Sequence, residues 1–222
     1  ADAVIVVLHP DTGIRSELIR LWTRIRERQL PCLLFVNEPD NPAKPLEDLL
    51  AACRRDLDIS PIPMTLSIHR DAALEGVVDI LGQTLLSSKP DSPKCETGPI
   101  PELMTSKAAE GFKRLQEAVA EMDDQLLERY LSAGELTAEE LATGIRIGVH
   151  KAGLVPLYCG SALKTIGVAS LLAAIKDWLP SPEDRPQPVP LTDMAQPADA
   201  EMIQAAPHRQ SFSGFIFKTL ID

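Results

Sequence analysis

The residues best suited to reading a ligand form two clusters, each at the end of an apolar run. Leu33-Leu34-Phe35-Val36 stops on Asn37-Glu38-Pro39-Asp40, and Leu154-Val155-Pro156-Leu157-Tyr158-Cys159 stops on Gly160-Ser161-Ala162-Leu163-Lys164. An ionised Asp accepts two parallel hydrogen bonds, so Asp40 suits adjacent N–H donors such as the N1–H and 2-amino group of guanine. The Asn37 amide both donates and accepts, which suits the other edge of a purine. Small residues at Gly160, Ser161 and Ala162 let the backbone come close to a ligand, and their N–H groups suit an acceptor such as guanine O6. Asn and Asp are also the ordinary residues of a turn after a strand, and in isolation the tetrad reads equally well as one.

Strands and helices must position these clusters. Leu33 to Val36, between Pro31 and Pro39, reads as a short buried strand, and ligands of open α/β sheets bind beyond the carboxyl ends of such strands. Ala3 to Leu8 is apolar and β-branched throughout, the composition of a central parallel strand covered on both faces. Between the two strands, Ile14, Leu18, Leu21, Trp22 and Ile25 recur at helical spacing, which predicts a β-α-β unit. Leu46, Leu49, Leu50, Cys53 and Leu57 predict a second helix. Met64 to Ile68 and Gly76 to Leu81 read as half-exposed antiparallel strands, with Asp79 at a strand end rather than in catalysis.

The stretch from Ser87 to Pro101 is rich in Ser, Pro and Lys and reads as a loop. Ala108, Phe112, Leu115, Val119, Met122 and Leu126 step by four and three, which predicts one long amphipathic helix with Asp123 and Asp124 on its solvated side. Thr137-Ala138-Glu139-Glu140 is a capping box with Leu136 as its staple, opening a short helix that carries Leu141 and Ile145. Val168, Leu171, Leu172, Ile175 and Leu179 predict a last helix on the sheet. Pro180, Pro182, Pro186, Pro188 and Pro190 then impose an extended exit, and Ser211 to Lys218 alternates as a strand.

The 222 residues permit one large domain or one with a smaller companion. A net charge of -10 argues against independent nucleic-acid binding, which needs clustered Lys and Arg. Arg15, Arg20, Arg24, Arg26 and Arg28 are interleaved with Glu17 and Glu27 and read as a helix exterior. Cys32, Cys53, Cys95 and Cys159, like the four His residues, have no metal or redox spacing. No apolar run approaches the roughly 20 residues of a membrane span and no signal peptide opens the chain, so the expected compartment is the cytoplasm.

The run from Val155 to Val168, continuing through Leu171-Leu172-Ala173-Ala174-Ile175 to Trp178-Leu179-Pro180-Ser181-Pro182, resembles a signature of elongation factor G and its relatives. Glu75-Gly76-Val77-Val78-Asp79-Ile80 and the stretch from Leu115 to Tyr130 are similar to the same family, and Asn37-Glu38-Pro39-Asp40 has the spacing of its N-K-x-D base-recognition motif. The resemblance implies an α/β fold with a P-loop GTPase-type parallel sheet, its N-terminal phosphate-binding part absent, and an inserted α+β subdomain. It divides the chain into a first part of the GTPase domain (1–60), the insert (61–150), a final strand and helix (151–182), a Pro-rich linker (183–210) and the start of a β-barrel (211–222).

The implied guanine-binding residues are Asn37, Asp40, Ser161, Ala162 and Leu163. The implied ligands of the parent protein are GTP or GDP with Mg, and its implied partner is the ribosome, including the acidic stalk protein. Arg146, His150 and Lys151 are the local candidates for that stalk contact. No G-x-x-x-x-G-K-[ST] phosphate loop occurs in these residues, so hydrolysis by this chain alone is not expected. Glu38 departs from the family's Lys and brings negative charge towards the nucleotide. That departure leaves a second reading, a degenerate GTPase-like protein-interaction module.

Overall fold

The computed structural model describes residues 2–37, 45–70, 73–88 and 95–184. In chain order these form β1 (Val4–Leu8), α1 (Ser16–Glu27), β2 (Cys32–Asn37), α2 (Leu46–Leu57), β3 (Ile62–Pro63), β4 (Thr65–Arg70), β5 (Ala73–Asp79), β6 (Thr84–Ser88), β7 (Cys95–Gly98), α3 (Glu102–Ala120), α4 (Asp124–Ala133), α5 (Ala138–His150), β8 (Pro156–Gly160) and α6 (Val168–Trp178). Glu38, Asp40 and the strand expected over 211–218 lie outside the described residues. The chain divides into two units, Ala1–Pro180 and Ser181–Asp222. In the second, Pro182–Asp184 make a single 3-10 turn in which the Ser181 N–H donates to Asp184 Oδ2 at 2.7 Å.

The first unit is an α/β structure whose parallel sheet has the order β1-β2-β8-β3, accompanied by an antiparallel sheet β4-β5-β6-β7. Continuous apolar composition at β2 and β8 is what a parallel strand with both faces covered requires. Alternation along β2 sends Cys32, Leu34 and Val36 to one face, where they meet Trp22 and Ile25 of α1 and Leu49, Cys53 and Leu57 of α2. Leu33 and Phe35 go to the other face, with Tyr158 of β8, and are covered by Leu115 and Val119 of α3, Leu141, Ile145 and Val149 of α5, and Ala174 and Trp178 of α6. Burial raises the thiols of Cys32 to about 12 and Cys53 to about 11, so both stay protonated and behave as small apolar groups.

Three sequence expectations need correction. Strand β1 is not covered on both faces, because it ends the sheet among the described residues and leaves Ile5 38% and Val7 65% exposed. The long helix is two helices. Asp123 adopts an extended backbone and its carboxylate accepts the Gln125 N–H at 3.0 Å, capping α4 and ending α3 just before it. Val119, Met122 and Leu126 still join one core, so the apolar stepping runs on across the break. Finally, the Ser87 to Pro101 stretch holds the end of β6 and all of β7, paired from Leu85↔Gly98 to Ser88↔Cys95. The exposed Glu96 and Thr97 give this edge strand little apolar pattern to recognise, which is common at sheet edges. The capping box at Thr137 and Glu140 forms as expected, with both reciprocal hydrogen bonds.

The two sheets meet at Met64. Ile62 and Pro63 pair with Pro156 and Leu157 of β8, and the Met64 N–H donates to the Leu157 carbonyl at 2.8 Å. The chain then leaves the parallel sheet, and the Ile80 N–H donates to the Met64 carbonyl at 2.9 Å from the antiparallel side. The Thr65 hydroxyl, fully buried, accepts the Cys159 N–H at 2.7 Å and donates to the Cys159 carbonyl at 3.4 Å. A Thr65→Val variant keeps the shape and strands that buried N–H, so it should lower the free energy of unfolding by about 1–3 kcal/mol in urea titrations. Thr65→Ser, which retains the hydroxyl, should recover part of the loss.

Candidate functional site

Strands β2 and β8 are paired so that Asn37 lies opposite Gly160. Asn37 and the loop that follows Gly160 therefore leave the sheet side by side at its carboxyl edge, the place where open α/β sheets receive ligands. The structure joins them directly, since Asn37 Oδ1 accepts the Ala162 N–H at 2.9 Å. With that oxygen engaged, the Nδ2 hydrogens are what the Asn37 amide has left to donate.

Beyond β8 the chain closes on itself. The Ser161 N–H donates to the Ile166 carbonyl at 2.9 Å and the Ile166 N–H returns to the Ser161 carbonyl at 3.1 Å, while the Thr165 N–H reaches the Ala162 carbonyl at 3.4 Å. Ser161 Oγ accepts the Lys164 N–H at 3.3 Å, and Thr165 takes a left-handed backbone with φ of 56°. The strands of this small hairpin pass very closely. A Cβ on Gly160 would stand 2.2 Å from the Ile166 carbonyl oxygen, and one on Gly167, at φ of +74°, would stand 2.3 Å from the Cys159 carbonyl oxygen.

Of the N–H groups expected to face an acceptor, Ser161 and Ala162 spend theirs inside the protein. Among the described residues the Leu163 N–H has no partner, which leaves it as the donor at the loop's tip. The Leu163 side chain stands 91% exposed beside it. One amide donor pair from Asn37, one backbone N–H and one exposed apolar side chain suit the edge and face of a planar base. They do not suit a phosphate, which calls for several converging N–H groups. Asp40, the expected acceptor, and Glu38 lie outside the described residues. Asp79 ends β5, where its Oδ1 accepts the Gly82 N–H at 2.9 Å and shapes a turn. Arg146 and His150 lie in the last turns of α5, with Lys151 just beyond.

A buried hydrogen bond ties the strand that leads into the loop to α6. Trp178 Nε1 donates to the Tyr158 hydroxyl at 3.0 Å, and burial raises the Tyr158 phenol well above its ordinary range, so it stays neutral. Sequence reasoning did not single out Ile166 or Thr65. Ile166 is 4% exposed and is the residue that pairs with Ser161, yet it stands alone among polar and small neighbours, without the periodicity that marks a core position.

The family model described as the elongation factor Tu GTP binding domain matches residues 1–181. The chain belongs to that family. Among solved structures, a crystal structure of a Thermus thermophilus protein, titled ttk003000868, superposes with a TM-score of 0.75 at 27% sequence identity. The similarity covers 83% of this chain and 27% of that one, so the chain spans about a quarter of the length of that relative. In this family member Asn37 and the loop from Ser161 to Leu163, the described part of the expected base-reading residues, lie together at the sheet's carboxyl edge.

The tight hairpin sets a clear test. Gly160→Ala should destabilise the protein by about 1–3 kcal/mol in urea, because the new Cβ meets backbone that has nowhere to move. Gly98→Ala, where a Cβ would have no neighbour within 4 Å and the backbone is not left-handed, should change stability by no more than about 0.5 kcal/mol.

Proposed function

We propose that this chain carries the guanine-recognition loops of a GTP-binding protein of the elongation factor G type, which acts on the ribosome in translocation or recycling. The observation that supports this most directly is the Asn37 to Ala162 hydrogen bond. It fixes the carboxamide so that Nδ2 is left to donate to guanine N7, and it ties the base-reading strand to the Ser161-Ala162 loop. Leu163 supplies a backbone N–H for guanine O6 and an apolar side chain against the ring. Asp40 completes the recognition by accepting from N1–H and the 2-amino group, the pair of donors that adenine lacks. The chain's residues hold the base, and none of them is assigned to the phosphates or to Mg. For an acidic partner such as the stalk protein, Arg146, His150 and Lys151 around the end of α5 are the candidate contacts.

Calorimetry on the intact protein tests the reading. GDP should bind and ADP should not, and Asp40→Ala should weaken GDP by about 10²–10⁴-fold, the value of two charge-assisted hydrogen bonds. Failure of the intact protein to bind GDP, with binding recovered in Glu38→Lys, would replace this reading with that of an interaction module whose base site Glu38 has disabled.

A further inference from the structure

The antiparallel sheet touches the base-reading loop at two separate points. At the loop's root, the Thr65 hydroxyl holds both the N–H and the carbonyl of Cys159, two residues before Ser161. At its closing side, Ile166 is buried in a small cluster with Leu74 and Val77 of β5, and Leu86 of β6 packs against them. This cluster is separate from the two larger cores that flank the parallel sheet.

The geometry that makes this contact is specific. Residues of a strand alternate between faces, so Leu74 and Val77, three apart, would ordinarily point to opposite sides of the sheet. Pairing with β4 runs Ile68↔Gly76 and then His69↔Leu74, passing over Glu75. This extra residue is a β-bulge, a device that re-aims the side chains on one side of it. It brings Leu74 to the side of Val77, and both reach Ile166. Ile166 in turn closes the hairpin through its N–H and carbonyl, and that hairpin presents Ala162 to Asn37 and the Leu163 N–H to the ligand.

We propose that the antiparallel sheet is the seat of the guanine-reading loop, with Ile166 as its positioning residue, so that the Leu74–Val77–Ile166 contact sets how long the nucleotide stays bound. The nucleotide part of this inference rests on the function proposed above. A sheet held firmly against Ile166 keeps the loop closed and dissociation slow. Loss of that contact frees Ile166, loosens the Ser161 pairing and opens the base pocket from one side.

The test compares Leu74→Ala, which removes the contact with Ile166, and Leu141→Ala, which removes a side chain of similar burial from α5 in a different apolar cluster. Amide hydrogen exchange by NMR on the intact protein reads the loop with or without nucleotide. Exchange at Ser161 and Ala162 should accelerate by about tenfold or more in Leu74→Ala and stay within about twofold in Leu141→Ala, because local opening and global unfolding are separate processes. Dissociation of a fluorescent GDP analogue should accelerate by about tenfold in Leu74→Ala alone, with little change in association. Unchanged exchange in Leu74→Ala, or equal acceleration in both variants, overturns the proposal. Selective acceleration of exchange in a protein that binds no GDP upholds the seat and sinks the nucleotide reading.

Discussion

One hydroxyl allows a single stretch of chain to serve two sheets. Strand β8 is buried on both faces, so each of its N–H groups needs a partner inside the protein. On the β3 side, its Val155 and Leu157 carbonyls accept from the Ile62 and Met64 N–H groups. Two residues further on, where the ladder would need the next rung, the chain has already turned away to begin β4. The Thr65 side chain takes over, accepting the Cys159 N–H that a continuing strand would have accepted through its backbone. Without that substitution, the strand that carries the Ser161 loop would have to end earlier, or the antiparallel sheet would have to begin later.

The rest of the architecture follows from the same economy of contact. The chain leaves the parallel sheet after β3, builds four antiparallel strands and three helices, and returns as β8 between β2 and β3. The excursion is no appendage. Its helices α3 and α5 cover the face of the sheet that carries Leu33, Phe35 and Tyr158, sharing one core with α6. Removing it would expose that face to water, and apolar burial of this kind is worth about 25 cal/mol per Å². The stretch that reads as an insertion in the sequence is energetically part of the domain it interrupts.

Much of this was legible because periodicity and composition carry it. The unbroken apolar runs at β2 and β8 announced buried parallel strands, the spacing of Trp22 and Ile25 announced α1, and Thr137 with Glu140 announced the start of α5. What was not legible lacked such a signal. A break between α3 and α4 that keeps Met122 and Leu126 facing inward leaves the four-and-three stepping intact, so only the capping chemistry of Asp123 betrays it. Strand β7 owes its existence to pairing with β6 rather than to its own side chains. At the site, Asn37, Ser161 and Ala162 drew attention by type and spacing and Leu163 only through the family resemblance, but which of their groups face inward could not be read. That depends on a register, Asn37 opposite Gly160, which is set by two strands far apart in sequence.

Three devices, each from a different part of the chain, hold the loop in one shape. Asn37 reaches it from β2, Gly160 and Gly167 let its two ends pass at backbone contact, and Ile166 anchors it to the antiparallel sheet. A loop left to itself would lose conformational freedom on meeting a ligand, at a cost of about 1–2 kcal/mol for each residue ordered. Here that cost is met during folding, so contacts with a ligand need not offset it. Preorganisation also sharpens discrimination, because a donor that cannot turn aside is left unpaired by the wrong base and exacts the full desolvation penalty. The orientation of Asn37 is therefore more than a structural detail. By engaging Oδ1 with Ala162, the fold settles which half of an ambivalent amide stays available to donate.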